Sequence, residues 1–234
     1  MQVDGETPDP GLRPAQAAPS SSSGGSRPTA HGSRRIGVLI SGRGSNLQAL
    51  IDAIAAGTLN AHIAVVISNR TDAAGLDRAR AAGIETLIVD HREFASRDEY
   101  DAAIAEALRG RGASLVCLAG FMRLIGPRLL EAFPNAILNI HPSLLPAFPG
   151  VNAQGQALDH GVKVTGATVH LVTGELDGGP IVVQSSVPVR DDDTVELLSA
   201  RILLEEHRLF PEAARIVLNG RWRLDGRRFV RLPD

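Results

Sequence analysis

The chain has 234 residues, of which 44% are hydrophobic and 21% charged, and its formal net charge is −2. This composition is typical of a globular protein with one domain. Aromatic residues make up only 3%, so the sequence offers neither the positive charge nor the stacking surfaces expected of a nucleic-acid-binding protein. No apolar stretch reaches the roughly 18 residues of a membrane span, and we expect no membrane association.

Residues 1–33 differ in composition from the rest of the chain. They are rich in Pro, Gly, Ser and Ala and contain no apolar block long enough for a signal peptide. We interpret them as a disordered extension and residues 34–234 as one folded domain. The single cysteine, Cys117, lies in an apolar run, which predicts a buried thiol. One cysteine cannot form an internal disulfide, and this fits a reducing cytoplasm.

The domain opens with a predicted strand and a glycine-rich turn. The apolar run Arg35–Ile40 is typical of a parallel strand buried on both faces. Gly42 and Gly44 follow it, and residues 48–56 then show helical periodicity. Such a turn presents free backbone N–H groups and the positive end of the helix dipole, which bind phosphate. Leu47 stands where a dinucleotide fingerprint has its third glycine, so the pattern favours a monophosphate over a nicotinamide cofactor.

Alternating strand and helix patterns continue along the chain. We predict strands over 63–67, 85–89 and 115–119, and helices over 73–82, 98–109 and 127–133. This alternation predicts an α/β fold with a doubly wound, mostly parallel sheet. Ligands bind such sheets beyond the carboxyl ends of the strands, where 41–46, 120–123 and 139–141 all fall.

The segment from Asn139 to Gly150 carries the strongest site pattern. Side chains at i and i+2 of a strand share a face, so Asn139 and His141 should project together from a strand end. The prolines and glycine of residues 142–150 exclude a helix or central strand and predict a fixed irregular loop. A rigid Asn amide can donate to an oxygen that gains negative charge, and a histidine transfers protons near neutral pH. Considered alone, the pair is also compatible with a turn cap and a structural histidine.

Beyond this loop the sequence predicts a short helix over 154–161, strands over 163–172 and 181–189, and a long helix capped by Thr194. Asp177 lies between the two strands, where an acid alone would be interpreted as a solvated turn residue. The terminal residues predict a β-hairpin, as part of a C-terminal β-extension and helix, with its arginines facing solvent. The histidines do not cluster with cysteines or acids, so no metal site is predicted. Four of them are interpreted as surface or structural residues: His62, His91, His160 and His170.

Four segments together resemble the folate-dependent phosphoribosylglycinamide formyltransferase family of purine synthesis. They are Gly42-Arg43-Gly44-Ser45-Asn46-Leu47, Ala119-Gly120-Phe121-Met122-Arg123, the residues Asn139 to Pro146, and Leu176-Asp177-Gly178-Gly179-Pro180. The resemblance runs from about residue 35 to about residue 211 and implies a Rossmann-like formyltransferase fold for the domain at 34–234, while the terminal hairpin lies outside it. It also implies formyl transfer from 10-formyltetrahydrofolate, a co-substrate, to the amine of 5-phosphoribosylglycinamide. The implied enzyme is cytoplasmic and uses no metal, and a homodimer is left open.

The resemblance also implies roles for individual residues. Asn139 would be the oxyanion donor and His141 the general acid and base, with Asp177 raising the pKa of His141. The implied binding residues are Gly44, Ser45 and Asn46 for the phosphate, Glu206 for the ribonucleotide, and Arg97, Met122, Arg123, Leu124, Ile125 and Asn139 for the folate. Some relatives have histidines where this chain has Asn152 and Gln154, so the contacts there stay open.

Three alternative functions share the same core. A transformylase acting on methionyl-tRNA would need an RNA-binding domain, for which the residues after 211 are too few and the charge is wrong. A hydrolase that deformylates the same folate typically carries a regulatory domain before the core. A non-catalytic nucleotide or folate sensor would have no reason to keep the Asn, His and Asp together. The sequence therefore favours the transferase.

Overall fold

The structure is a computed structural model, and it describes residues 34–233. The interpretation of residues 1–33 as disordered concerns residues outside this range and stays a prediction. The described strands are β1 (Arg35–Ile40), β2 (His62–Ser68), β3 (Thr86–Ile88), β4 (Leu115–Leu118), β5 (Ile137–His141), β6 (Val164–Leu171), β7 (Ile181–Pro188), β8 (Trp222–Asp225) and β9 (Arg228–Arg231). The described α-helices are α1 (Ser45–Ala55), α2 (Gly75–Ala81), α3 (Arg97–Arg109), α4 (Pro127–Ala132), α5 (Ala153–Asp159) and α6 (Val195–Asn219).

Seven strands form one sheet in the order β3-β2-β1-β4-β5-β6-β7. Strands β1 to β5 pair in parallel, while β6 runs antiparallel to β5 and β7 antiparallel to β6. The chain winds outward from β1 in both directions, which confirms the predicted α/β fold with a mostly parallel sheet. Strands β8 and β9 form the predicted C-terminal hairpin.

Each face of the sheet buries its own core. On β1, Val38 packs into a cluster with α1, α2 and α6, whereas its neighbour Leu39 packs into a second cluster with α3 and α4. Successive side chains point to opposite faces, and both faces are covered, so the strand is apolar throughout. Cys117 of β4 is fully buried, and burial raises the pKa of its thiol to about 12. The predicted burial of this thiol is therefore confirmed.

The long helix α6 begins and ends as the sequence indicates. The Thr194 hydroxyl accepts a hydrogen bond from the backbone N–H of Leu197, which caps the first turn. The helix continues across Pro211 and ends at Gly220, whose φ of 69° permits the left-handed cap. Within residues 34–233, no helix has both the length and the apolar composition needed to cross a bilayer.

Candidate active site

Strand β5 carries Asn139 and His141 at the carboxyl edge of the sheet. Asn139 is half-buried and pairs with His170 of β6, while His141 is buried and pairs with Thr168. Both side chains face the same carboxylate, that of Asp177. The two-residue period of a strand therefore brings the amide and the imidazole to one site, as predicted.

Asp177 joins the two strand-end residues from the loop between β6 and β7. Its Oδ2 lies 3.5 Å from Nδ1 of His141 and accepts the backbone N–H of Gly150 at 2.7 Å. Its Oδ1 lies 3.5 Å from Nδ2 of Asn139. The side chain is only 9% exposed. Asp177 is thus a buried site residue, and the solvated-turn interpretation does not apply to it.

The surroundings of Asp177 hold its carboxyl in the charged form. Burial by itself would raise its pKa, and this is the largest single influence. His170, the Gly150 N–H and the charge of His141 act in the opposite direction, and together they keep the pKa of Asp177 below its ordinary value. The site therefore contains a carboxylate at neutral pH.

The ring of His141 lies between two oxygen acceptors. Its Nε2 is 2.8 Å from the carbonyl oxygen of Phe148, which can only accept a hydrogen bond, so Nε2 carries a proton. Its Nδ1 faces the Asp177 carboxylate. A ring with a proton on each nitrogen can donate to both partners. The site can accommodate the imidazolium form that a proton donor requires.

His170, interpreted from the sequence as a structural residue, lies inside this site. It is 2% exposed, and its Nε2 lies 3.2 Å from Nδ2 of Asn139 and 3.7 Å from Oδ1 of Asp177. Recognising it requires the antiparallel register of β6 on β5, which sets His170 opposite Asn139. The one sequence signal was a histidine in a strand that is otherwise apolar or small.

Side chains of β6 and β7 hold the proline-rich loop in place. Thr168 donates its hydroxyl proton to the carbonyl of Ser143 at 2.6 Å and accepts the N–H of Leu145 at 3.1 Å. Gln184 donates to the carbonyl of Leu145 at 2.8 Å. Buried backbone groups of an irregular loop need such partners because no strand neighbour is available. The loop that carries Phe148 and Gly150 to the site is fixed in this way.

The predicted phosphate loop lies at the start of α1. Gly44 has a φ of 70° and packs so closely on α2 that an added Cβ would lie 2.5 Å from Cα of Gly75. Ser45 and Asn46 follow as the first residues of the 11-residue helix. Their backbone N–H groups belong to the first turn, where no intrahelical acceptor is available. The loop therefore offers donors for an anionic group.

Asn46 and Glu206 connect the phosphate loop to α6. The amide of Asn46 donates to Oε2 of Glu206 at 2.7 Å, and both side chains are buried. Burial raises the pKa of Glu206, and the hydrogen bond from Asn46 only partly offsets this effect. Oδ1 of Asn46 is buried and accepts no hydrogen bond from any residue that the structure describes. The pair thus contains one buried acceptor, Oδ1 of Asn46, that has no partner among these residues.

The residues predicted for the folate side form a loop after β4. Met122 and Leu124 are 75% and 56% exposed. The loop is fixed at both ends: Met122 N–H donates to the Ser41 hydroxyl at 2.9 Å, and Gly126 N–H donates to the buried Asp101 carboxylate at 2.7 Å. A rigid loop with exposed apolar side chains suits a flat aromatic ligand.

The remaining predicted positions lie around this loop and on α5. The stem of Arg97 lies beside Gly126, Arg123 covers the ring of Tyr100 at 5.9 Å, and Ile125 is partly buried. At the start of α5, Asn152 packs its amide against Gly155, and Gln154 is half-buried. Residues 34–233 contain no group of three or more His, Cys, Asp or Glu side chains arranged to hold a metal.

Comparisons with known proteins agree with this fold and site. A family model described as formyl transferase matches residues 34–214. The phosphoribosylglycinamide formyltransferase of Escherichia coli is 43% identical over 81% of this chain and 87% of its own length. A crystal structure of glycinamide ribonucleotide transformylase 1 from Symbiobacterium toebii has a TM-score of 0.85 and 57% identity, with coverage of 86% and 95% of the two chains.

A mammalian relative is much longer. The trifunctional purine biosynthetic protein adenosine-3 of Bos taurus is 50% identical over 81% of this chain, but the match spans only 19% of the relative's length. The chain therefore corresponds to less than a fifth of that protein. It belongs to the formyl transferase family and, within it, to the phosphoribosylglycinamide formyltransferases.

Proposed function

We propose that this protein transfers the formyl group of 10-formyltetrahydrofolate to the amine of 5-phosphoribosylglycinamide. The products are formylglycinamide ribonucleotide and tetrahydrofolate, as in de novo purine biosynthesis. The observation that carries the proposal is the convergence of Asn139, His141 and Asp177 at the carboxyl end of β5. Relatives that cover nearly the same length are named for this reaction.

Asn139 is the proposed oxyanion donor. The amine nitrogen attacks the formyl carbon, a C–N bond forms, and the carbonyl electron pair moves onto the oxygen. One N–H of Asn139 donates to His170, and the 3.5 Å contact with Asp177 is at the outer limit of a hydrogen bond. The second N–H can therefore turn to the developing oxyanion. Such a donor typically contributes about 3–4 kcal/mol of transition-state stabilisation.

His141 is the proposed proton-transfer group. The tetrahedral intermediate collapses by breaking the bond between carbon and the folate nitrogen. That nitrogen takes up a proton, and the new amide nitrogen loses one. The Asp177 carboxylate, 3.5 Å from Nδ1, stabilises the protonated His141 ring during this exchange. General acid and base catalysis of this kind typically contributes about 10²–10⁴ in rate.

The two substrates use different segments of the chain in this proposal. The N–H groups at Ser45 and Asn46 bind the phosphate, and Glu206 accepts hydrogen bonds from the ribose hydroxyls. The flat ring system of the folate packs on the exposed Met122 and Leu124, while Arg97 supplies positive charge for its carboxylates. Both substrates must reach His141, so their reacting atoms are brought together without a covalent enzyme intermediate.

A two-substrate assay tests the proposal. Purified full-length protein is incubated with 10-formyltetrahydrofolate, with and without the glycinamide ribonucleotide, and both folate and nucleotide products are measured. Tetrahydrofolate should appear only with the amine and in equal amount to the formylated nucleotide. Folate turnover without the amine would instead assign the protein as the hydrolase. His141→Ala should abolish turnover, and His62→Ala, at the exposed amino end of β2, is the matched control.

A further inference from the structure

The C-terminal hairpin contacts the loop that carries Asp177. The hairpin follows the family-matched region, which ends at residue 214. It is fixed on the domain by the indole N–H of Trp222, which donates to the carbonyl of Val217 in α6 at 3.0 Å, and by the rings of Trp222 and Phe229, which stack on each other at 4.8 Å and pack against the core. Its tip, at Arg227, is consequently held in a defined place, and that tip reaches residues 173–180.

Arg227 holds this loop at two points on either side of Asp177. Its Nη1 donates to Oε2 of Glu175 at 3.0 Å, and its Nη2 donates to the carbonyl oxygen of Gly178 at 2.6 Å. The planar guanidinium presents its donors in a fixed fork, which suits two acceptors at once. The hairpin arginines are exposed, as predicted, and Arg227 in addition makes these two contacts with the loop.

The loop depends on polar contacts for its conformation. Asp177 has a φ of 48°, a left-handed conformation that is unfavourable for a residue other than glycine. Glu175 and Leu176 are exposed, so no apolar burial holds this part of the loop. Glu175 also folds over Gly178, where an added Cβ would lie 2.3 Å from its Cδ. Arg227 thus ties together the two residues that flank the strained aspartate.

We propose that Arg227 is a positioning residue for formyl transfer, because it holds the Asp177 loop so that the carboxylate faces His141. The inference rests on the proposed function of Asp177. Arg227 and Glu175 are 71% and 66% exposed, and surface ion pairs of this kind add little to global stability. Removing the Arg227 side chain should therefore affect the conformation of the loop and the catalytic step, and not the stability of the whole domain.

The test compares Arg227→Ala with Arg228→Ala. Arg228 is exposed on the same hairpin, and its side chain makes no hydrogen bond or ion pair with the residues that the structure describes. We expect Arg227→Ala to lower kcat about fivefold, with the KM for the ribonucleotide and the melting temperature nearly unchanged. Arg228→Ala should match the wild type. Arg227→Lys should recover part of the loss, since one ammonium can reach one acceptor but not present the fork.

Hydrogen exchange supplies a second measurement on the same proteins. Amides of residues 173–180 should exchange faster in Arg227→Ala than in Arg228→Ala, while β5 stays protected. A kcat for Arg227→Ala equal to that of the control would overturn the inference, as would a change in KM alone. If the wild type does not formylate the ribonucleotide, the proposed function fails first. Exchange in 173–180 then decides the inference by itself, and equal exchange in the two variants overturns it.

Discussion

Nε2 of His170 lies 3.2 Å from Nδ2 of Asn139, across a directly paired position of β6 and β5. Nδ1 of the same ring is 3.0 Å from the carbonyl of Leu171, which can only accept, so Nδ1 carries the proton of the neutral ring. Nε2 is then the acceptor, and Asn139 donates to it. This hydrogen bond fixes the orientation of the Asn139 side chain, because its NH2 group, and not its carbonyl oxygen, must face His170.

Removing the His170 ring should disorder the Asn139 amide. We predict that His170→Ala lowers kcat about tenfold, because an oxyanion donor that is no longer oriented loses part of its effect. His170→Gln should keep most of the activity, since its amide oxygen can replace Nε2 as acceptor. Steady-state kinetics of the two variants measures this, and equal losses would mean that the hydrogen bond to Asn139 is not what matters.

Asp177→Asn keeps the shape of the site and removes its charge. We expect kcat to fall by about 10²-fold or more, because proton transfer through His141 loses its electrostatic support. The KM for the ribonucleotide should change little, since Asp177 is not among the residues assigned to phosphate or ribose binding. Initial rates over a range of ribonucleotide concentrations separate the two parameters. A kcat close to that of the wild type would return Asp177 to the role of a turn residue.

The same substitution should change the pH dependence of stability. The folded-state pKa of Asp177 is lowered from the ordinary 3.8, so its carboxylate stabilises the fold above that pH. This contribution is lost as the pH falls through the folded value. Urea unfolding of wild type and Asp177→Asn across the acidic range should therefore show a stability difference that shrinks with acidity. A constant difference would contradict the lowered pKa.

The ionisation of Glu206 should make stability depend on pH in the opposite direction to that of Asp177. Burial raises the folded-state pKa of Glu206 above the ordinary 4.5. The wild type therefore loses stability as the pH rises from 4.5 through the raised folded-state pKa. Glu206→Gln should therefore have a higher melting temperature than the wild type at neutral pH. This difference in melting temperature should disappear below pH 4.5, the ordinary pKa of the carboxyl. The variant should also raise the KM for the ribonucleotide. Melting curves at several pH values, together with that KM, test both effects.

Substitution at Gly44 should affect folding as well as binding. A side chain there must adopt a φ of 70° and would lie 2.5 Å from the backbone of Gly75, so Gly44→Ala should destabilise the protein by at least about 1 kcal/mol. Gly42→Ala is the matched control, because a Cβ added at Gly42 would meet no other atom within 4 Å. Urea midpoints measure the difference. Equal midpoints would show that the loop can move away from α2.

Deleting residues 1–33 should leave catalysis intact. All residues assigned to the site lie between Gly44 and Glu206, and the extension is too poor in apolar residues to form a core of its own. The shortened protein should retain its kcat and melting temperature. A clear loss of either would show that the extension contacts the folded domain.

Much of this protein could be predicted from local patterns. The strand and helix periods indicated the α/β sheet, and the two-residue strand period put Asn139 and His141 on one face. These features depend on near neighbours in the chain, whose spacing the backbone geometry fixes. The resemblance of four motifs added the reaction class. The helix cap predicted at Thr194 is also confirmed, because its hydroxyl accepts the N–H of Leu197.

Other parts depended on how distant segments meet. His170 became a site residue because β6 pairs with β5 in one antiparallel register, and a shift by one residue would turn its ring to the opposite face. Arg227 reaches the Asp177 loop because the hairpin packs on the end of α6. Contacts between segments so far apart in the chain follow from the three-dimensional packing of the whole core, which no local pattern encodes.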